Sequence, residues 1–316
     1  MAENLKKSLG QHVLKNPGVV TALVDRGRIR PSDVVLEIGP GTGNLTMKLL
    51  EKSKCVVAVE KDKKIATDLL KRVGTKRNKM NLLIGDAIEV DFPPFDMCVS
   101  NTPYQISSPL TFKLLKYPFR AAILMFQREF AMRLCASPGD SYYCRLSVSV
   151  QIRANVQHVM KVSRKSFRPP PKVESSIVRI EPKRHQPNID MDEFDGLVKI
   201  CFSRKNKTLG SIFKLAAVRN LVNSNTRKSE SSRDGNGIFE ELPEKEIDFQ
   251  EEEIDFAENR IGVAEKETRI TEKEEGSIEK ALKESKLEKE RASKMSVEEF
   301  LFLLIKFKEC GVSFSS

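Results

Sequence analysis

Short apolar runs alternate with amphipathic stretches through the first half of this 316-residue chain. Val34-Val35-Leu36-Glu37-Ile38, Cys55 to Glu60, Met80 to Gly85, Met97 to Asn101, Ala121 to Gln127, Arg145 to Ile152 and Ser176 to Glu181 are short and nearly continuous in apolar or β-branched residues. Runs of that length and make-up, bounded by turn formers, predict strands. Between the early runs lie stretches with helical spacing: Pro17 to Arg28, led by Asn16 as N-cap, then Asn44 to Ser53 and Asp62 to Val73. Strand–helix alternation with apolar strands predicts an α/β fold whose parallel sheet is covered on both faces. The later strands have less helix between them, which predicts an antiparallel pair at one edge.

The sheet pattern ends near Pro182, dividing the chain into a domain over 1–182 and a smaller helical domain over 183–316. Asp192 to Ile200, Thr208 to Leu221 and Val297 to Lys308 have helical apolar spacing. Between them runs a charged, aromatic-poor insert at about 224–275. Its Ser- and Gly-containing start, Ser229 to Gly237, predicts disorder. Farther on, Ile278 to Ala292 predicts a solvated helix laced with charge pairs.

No apolar run approaches the roughly 20 residues of a membrane span, and Met1 to Lys7 lacks the apolar core of a signal peptide. These features predict a soluble intracellular protein. Six scattered cysteines, with no C-x-x-C pair, argue against a zinc site or a disulfide framework and predict reduced thiols in apolar surroundings. Charge is uneven along the chain. Residues 1–230 hold 40 Lys and Arg against 21 Asp and Glu, a net of +19, and the remainder holds 14 against 23, a net of −9. Basic clusters at Lys61 to Arg77, Lys161 to Lys172 and Arg204 to Lys207 fit a polyanion partner such as nucleic acid, and equally a solvated basic surface.

The turn after the first strand reads Glu37-Ile38-Gly39-Pro40-Gly41-Thr42-Gly43-Asn44. Glycines permit positive φ and let a ligand approach the backbone, although G-x-G-x-G by itself also fits a tight structural turn. Its context adds weight. Glu60 ends the second strand, where a carboxylate can accept hydrogen bonds from both ribose hydroxyls. Asp86 follows the third, placed to accept from an adenine amino group. Together with Gly39 and Gly41 they describe an adenosine pocket at the carboxyl edge of the sheet. The loop lacks the Gly-Lys-Ser/Thr ending of a P-loop, and acidic lining suits a cationic ligand such as S-adenosylmethionine.

The fourth strand ends in Asn101-Thr102-Pro103-Tyr104. An exocyclic adenine amine is a poor nucleophile because its lone pair is delocalised into the ring. Acceptors for its two N–H bonds, the Asn101 side-chain oxygen and the Pro103 carbonyl, favour the pyramidal geometry needed for attack on a methyl group. Tyr104 offers a face on which an extruded base can stack. Positioning and preorganised dipoles then suffice, without a metal. Phe167-Arg168-Pro169-Pro170-Pro171 is a stiff segment whose Phe167 is a candidate clamp on the opposite side of the base.

Together with Leu9 to Leu14, Phe167 to Ser176 and Arg204-Lys205-Asn206-Lys207-Thr208-Leu209, these motifs resemble the small-subunit ribosomal RNA adenine dimethyltransferases, the kasugamycin-resistance methyltransferases. The resemblance covers about residues 6–222 and resumes over the last twenty-odd. Gln11-His12 and the Arg-Lys-Asn-Lys-Thr-Leu run make the chain similar to the eukaryotic branch. The resemblance implies a Rossmann-like, seven-stranded methyltransferase domain followed by a helical rRNA-binding domain. It also implies N6 dimethylation of two adjacent adenosines near the 3′ end of small-subunit rRNA, with S-adenosylmethionine as cofactor. His12 and Leu14 would close over the cofactor, Gly39 and Gly41 back it, Glu60 hold its ribose and Asp86 its adenine, with Asn101 between cofactor and substrate. Pre-ribosomal particles as partners, a monomeric state and a nuclear or nucleolar location, with cytoplasm as a further site, are implied too. An assembly factor in which methylation is secondary is the alternative; a mitochondrial transcription cofactor is disfavoured by the lack of an Arg- and Ser-rich leader. Two departures stand out: Thr102, where many relatives carry Leu or Ile, and the long acidic stretch after Asn223.

Overall fold

A computed structural model describes residues 12–234 and 272–315. The chain forms two compact units. One holds the residues up to Cys135 together with Arg153–His185, and the other holds Ala136–Ile152 together with the chain from Gln186 onward. In order, the first unit contains β1 (Val13–Leu14), α1 (Pro17–Gly27), β2 (Val34–Ile38), α2 (Asn44–Lys52), β3 (Cys55–Glu60), α3 (Lys63–Val73), β4 (Met80–Ile84), β5 (Met97–Asn101), α4 (Ser107–Leu115), β6 (Ala121–Gln127) and α5 (Arg128–Cys135). After α6 (Arg145–Gln151), which belongs to the second unit, β7 (Ala154–Val162), β8 (Phe167–Arg168) and β9 (Ser175–Pro182) return to the first. The second unit continues with α7 (Met191–Phe202), α8 (Leu209–Phe213), α9 (Ala216–Asp234), α10 (Glu272–Ser285) and α11 (Val297–Glu309). A single cut near 182 therefore misses the excursion at 136–152.

Seven strands form one sheet in the order β4-β3-β2-β5-β6-β9-β7. β4 through β6 are mutually parallel, while β9 runs antiparallel to both β6 and β7, the edge pair that the thinning of helices predicts. From β2 the chain moves outward to β3 and β4, then returns to β5 on the other side of β2. That reversal opens a crevice beyond the carboxyl ends of β2 and β5, where open α/β sheets hold their ligands. On one face, Val35, Val56, Ala58, Met97, Val99, Ile123 and Met125 pack against Val20 and Leu23 of α1 and Leu45 and Leu49 of α2. α1 begins where Asn16 Oδ1 accepts from Gly18 N (2.9 Å), and α3 where Asp62 Oδ1 accepts from Lys64 N (2.8 Å); both caps satisfy amide donors at the helix start.

Several expectations need correction. Arg145 to Ile152 alternates like a strand but is helix α6. Leu146, Ser147, Val148, Ser149 and Val150 are all buried in succession, and the helix starts at its N-cap Cys144, whose N donates to Ser147 Oγ (3.1 Å). Ser149 Oγ donates to Asp195 (2.5 Å), satisfying a buried hydroxyl. The missing strand is β7, whose alternation is broken by a bulge between His158 and Met160. Thr208 to Leu221 is two helices, α8 and α9, and α9 continues to Asp234 through the first part of the stretch read as disordered. Residues 235–271 of the insert lie outside the described residues. The charged helix is α10, which stops at Ser285 rather than Ala292. Lys286 has φ 60°, and Glu288 and Glu290 instead accept backbone bonds from Gly210 and Leu209 (both 2.9 Å).

All six cysteines are free thiols, with Cys98, Cys144 and Cys201 buried. Among the described residues no helix is long and apolar enough to cross a membrane.

At the amino end of the sheet, Arg120 grips Asp33 with two parallel bonds of 2.9 and 2.6 Å, joining the start of β2 to that of β6. The guanidinium holds the Asp33 carboxyl below the usual carboxylate range. Arg120→Met strands a carboxylate whose side chain is only 3% exposed. Its expected cost is about 2 kcal/mol in urea unfolding at pH 7. Because a depressed pKa stabilises the fold only above the unfolded value, that cost should shrink as the pH falls below about 4.

Candidate active site

The crevice is built first by backbone conformation. Gly39, Gly41 and Gly43 have φ of 64°, 54° and 81°, values that cost L-residues steric strain. A Cβ on Gly39 would lie 3.1 Å from Pro103 Cγ, and one on Gly43 would lie 2.6 Å from Leu69 Cδ1. The first glycine thus lets the loop after β2 touch the turn after β5, and the third seats α3 against the loop. Ser100 Oγ donates to Ile38 O (2.7 Å) and closes the same junction from below.

Glu60, 7% exposed at the end of β3, faces the loop: its Oε2 accepts from Gly41 N (3.3 Å) and its Oε1 from Asp62 N (3.1 Å). Burial raises the Glu60 pKa, and those two amides oppose the rise. Asp86, just beyond β4, accepts from Ile88 N (2.9 Å) and from Lys61 Nζ (2.7 Å), and the ammonium holds its carboxyl below the ordinary range. Each of these oxygens keeps a lone pair for a ligand. Lys61 is a neighbour that the strand pattern did not reveal.

At the reactive turn, Asn101 ends β5 half-buried, and its side chain has no hydrogen bond to any described residue. Thr102 N donates to Met125 O (3.2 Å), which fixes the turn, and Pro103 O accepts from Ile106 N (3.2 Å) with one lone pair left over. Tyr104 is held at both ends. Its carbonyl accepts from Ser107 Oγ (2.8 Å), and its hydroxyl shares a 2.6 Å hydrogen bond with Ser175 Oγ. Burial raises the phenol's pKa, so the ring stays neutral.

The N-terminal segment straps these parts together. β1 pairs with β8, matching Leu14 to Phe167. Leu14 O accepts from Asn44 Nδ2 (2.8 Å) at the start of α2. His12 Nδ1 donates to Pro169 O (2.8 Å), and the imidazole lies 6.5 Å from the Tyr104 ring, tilted by 32°. Two side chains expected over the ligands are buried. Phe167 is 4% exposed and packs in the same core cluster as Leu14, and the aromatic ring that stands 6.5 Å from Tyr104 is His12. The Leu14 side chain is buried in that core, and its carbonyl is the group bonded to Asn44. Asn44 and Ser175, which position Leu14 and Tyr104, carry no local sequence signal.

Residues 2–232 match the profile of the ribosomal RNA adenine dimethylase family. The chain belongs to that family. It is 47% identical over 316 residues to the dimethyladenosine transferase of Saccharomyces cerevisiae, covering 97% of this chain and 90% of the relative. It is 49% identical over 324 residues to the ribosomal RNA small subunit methyltransferase of Arabidopsis thaliana, covering 98% and 92%. A crystal structure of a dimethyladenosine transferase from Plasmodium falciparum matches with a TM-score of 0.79 at 37% identity over 96% of this chain and 100% of that one. A 23S rRNA methyltransferase shares the fold, with a TM-score of 0.61 at 20% identity over 93% and 99%. The chain is a eukaryotic-branch dimethylase with a Rossmann-like seven-stranded sheet.

In this dimethylase the Gly39–Pro103 contact joins the two halves of the crevice. Gly39→Ala combines a disfavoured φ with a 3.1 Å contact. It is expected to cost about 1–2 kcal/mol of stability and at least tenfold in methyl transfer, read by thermal melting and by tritiated-methyl incorporation.

Proposed function

We propose that the crevice binds S-adenosylmethionine and presents its methyl group to N6 of two adjacent adenosines near the 3′ end of small-subunit rRNA, each dimethylated in turn. Family membership makes the chain an rRNA adenine methyltransferase, and the free Asn101 amide beside the Gly39–Pro103 junction carries the residue-level reading. The donor set fits the cofactor. Glu60 suits a ribose, Asp86 an adenine amine, and the open backbone at Gly41 a closely approaching ligand. When bound, that cofactor supplies an electrophilic methyl on a positively charged sulfur.

The protein's own groups do the rest. Asn101 Oδ1 and Pro103 O accept the two N6–H bonds and draw the nitrogen lone pair out of the adenine ring. Tyr104, its hydroxyl anchored on Ser175, supplies a fixed surface for the extruded base. The strap of His12, bonded to Pro169 O, and Leu14, bonded to Asn44, holds the side of the crevice beside Tyr104. The methylated nitrogen is acidic and gives its proton to solvent, so no buried general base is needed. Preorganised dipoles of this kind act without reorganising during reaction. The basic surface of residues 1–230 suits an rRNA partner within a pre-ribosomal particle, with the monomeric enzyme working in the nucleolus.

Mass spectrometry of small-subunit RNA incubated with enzyme and cofactor should detect N6,N6-dimethyladenosine. Asn101→Ala should lower kcat by roughly 10²–10³, with less than a tenfold change in calorimetric cofactor affinity. Unmodified RNA with the native chain, or undiminished transfer by the variant, would reject this reading.

A further inference from the structure

Glu37 sits at the carboxyl end of β2, two residues ahead of Gly39, and the chemistry above does not use it. Its side chain is 1% exposed, and Oε2 has no hydrogen-bond partner among the described residues. The groups facing it offer no cation. Glu60 at the end of β3 is another carboxyl, burial keeps the Cys98 thiol of β5 neutral, and α2 contributes the Thr46 hydroxyl, whose oxygen also lacks a hydrogen-bond partner among the described residues. An ionised carboxyl in such a place is strongly unfavourable, and the group avoids that cost by keeping a proton. Burial pushes the Glu37 carboxyl up to about 8, with Thr46 opposing and Glu60 adding to the rise. An apolar residue would fill the same space without this difficulty, so an acid poised beside the glycine loop calls for a charged counterpart from outside the chain.

We propose that Glu37 is a proton-linked positioning residue. It is neutral in the free protein, releases its proton to solvent when a cationic ligand enters the crevice, and then holds that cation as a carboxylate. This inference rests on the reading of the crevice as the S-adenosylmethionine site and deepens it. The ligand's positive charge replaces the proton as the partner of the buried oxygen, so binding strengthens as the pH rises toward 8. Methyl transfer removes the charge on sulfur. Glu37 then recovers a proton from solvent, its hold on the spent ligand weakens, and the crevice resets for the next of the successive methylations.

Calorimetry of the full chain at pH 7.0, in buffers of different ionisation enthalpy, counts the protons released. With S-adenosylmethionine, the native chain should release at least about half a proton more than Glu37→Gln. The variant's affinity should resemble the native value at pH 6 and fall several-fold behind it at pH 8.5. Melting curves of the variant should show a cooperative transition. If they do not, the native chain alone decides the question, because S-adenosylmethionine should release more protons than S-adenosylhomocysteine, whose sulfur is neutral. Equal release by native and variant chains, or by the two ligands on the native chain, would overturn the assignment. No binding heat at all would reject the cofactor reading and this inference with it.

Discussion

Gly39 rests against Pro103 at the point where the chain's crossovers change direction. That contact depends on two sequence choices far apart. A residue without Cβ adopts positive φ after β2, and a ring without an N–H shapes the turn after β5. Because β2 and β5 are parallel neighbours, their carboxyl ends meet at the same height, and Ser100 bonded to Ile38 O keeps them there. The glycine loop and the reactive turn are thus one packed object. Glu60 reaches the loop through Gly41 N, and Asn101 stands free at its side.

Charge in the crevice is graded by environment rather than by residue type. Asp86, partly exposed and paired with Lys61, stays ionised. Glu60, enclosed, is raised by burial against the pull of two amides. Glu37, wholly enclosed, is pushed up to about 8 by burial. Three acids at successive strand ends are thus shifted differently by their surroundings, while the first 230 residues carry a net charge of +19.

The N-terminal strap adds a mechanical element. β1 is only two residues long, yet it is held to β8 by its ladder, to α2 by Asn44 and to the Pro169 carbonyl by His12. Each bond is modest alone. Together they tie the glycine loop, the reactive turn and the proline-rich segment into one frame, which suits a site that must position two large ligands within a bond length of one another.

Much of this was legible along the chain. Val34 to Ile38, Cys55 to Glu60, Met97 to Asn101 and Ala121 to Gln127 are strands by local composition, and Asn16 and Asp62 announce their helices. The glycine loop, Glu60, Asp86 and Asn101 fall at strand ends because a parallel sheet puts every loop of one kind on one edge. Local pattern failed where distant packing overruled it: at Arg145 to Ile152, buried all round as a helix, and at β7, whose bulge hides its alternation. It did not show that Phe167 packs in the core cluster of Leu14, nor that Lys61 pairs with Asp86, which only spatial proximity reveals. Periodicity along a chain records which face of an element is wet and where its turns lie. The direction of a ring, the partner of a carboxylate and the proton on Glu37 depend on what arrives from elsewhere in the chain, and only the folded structure decides them.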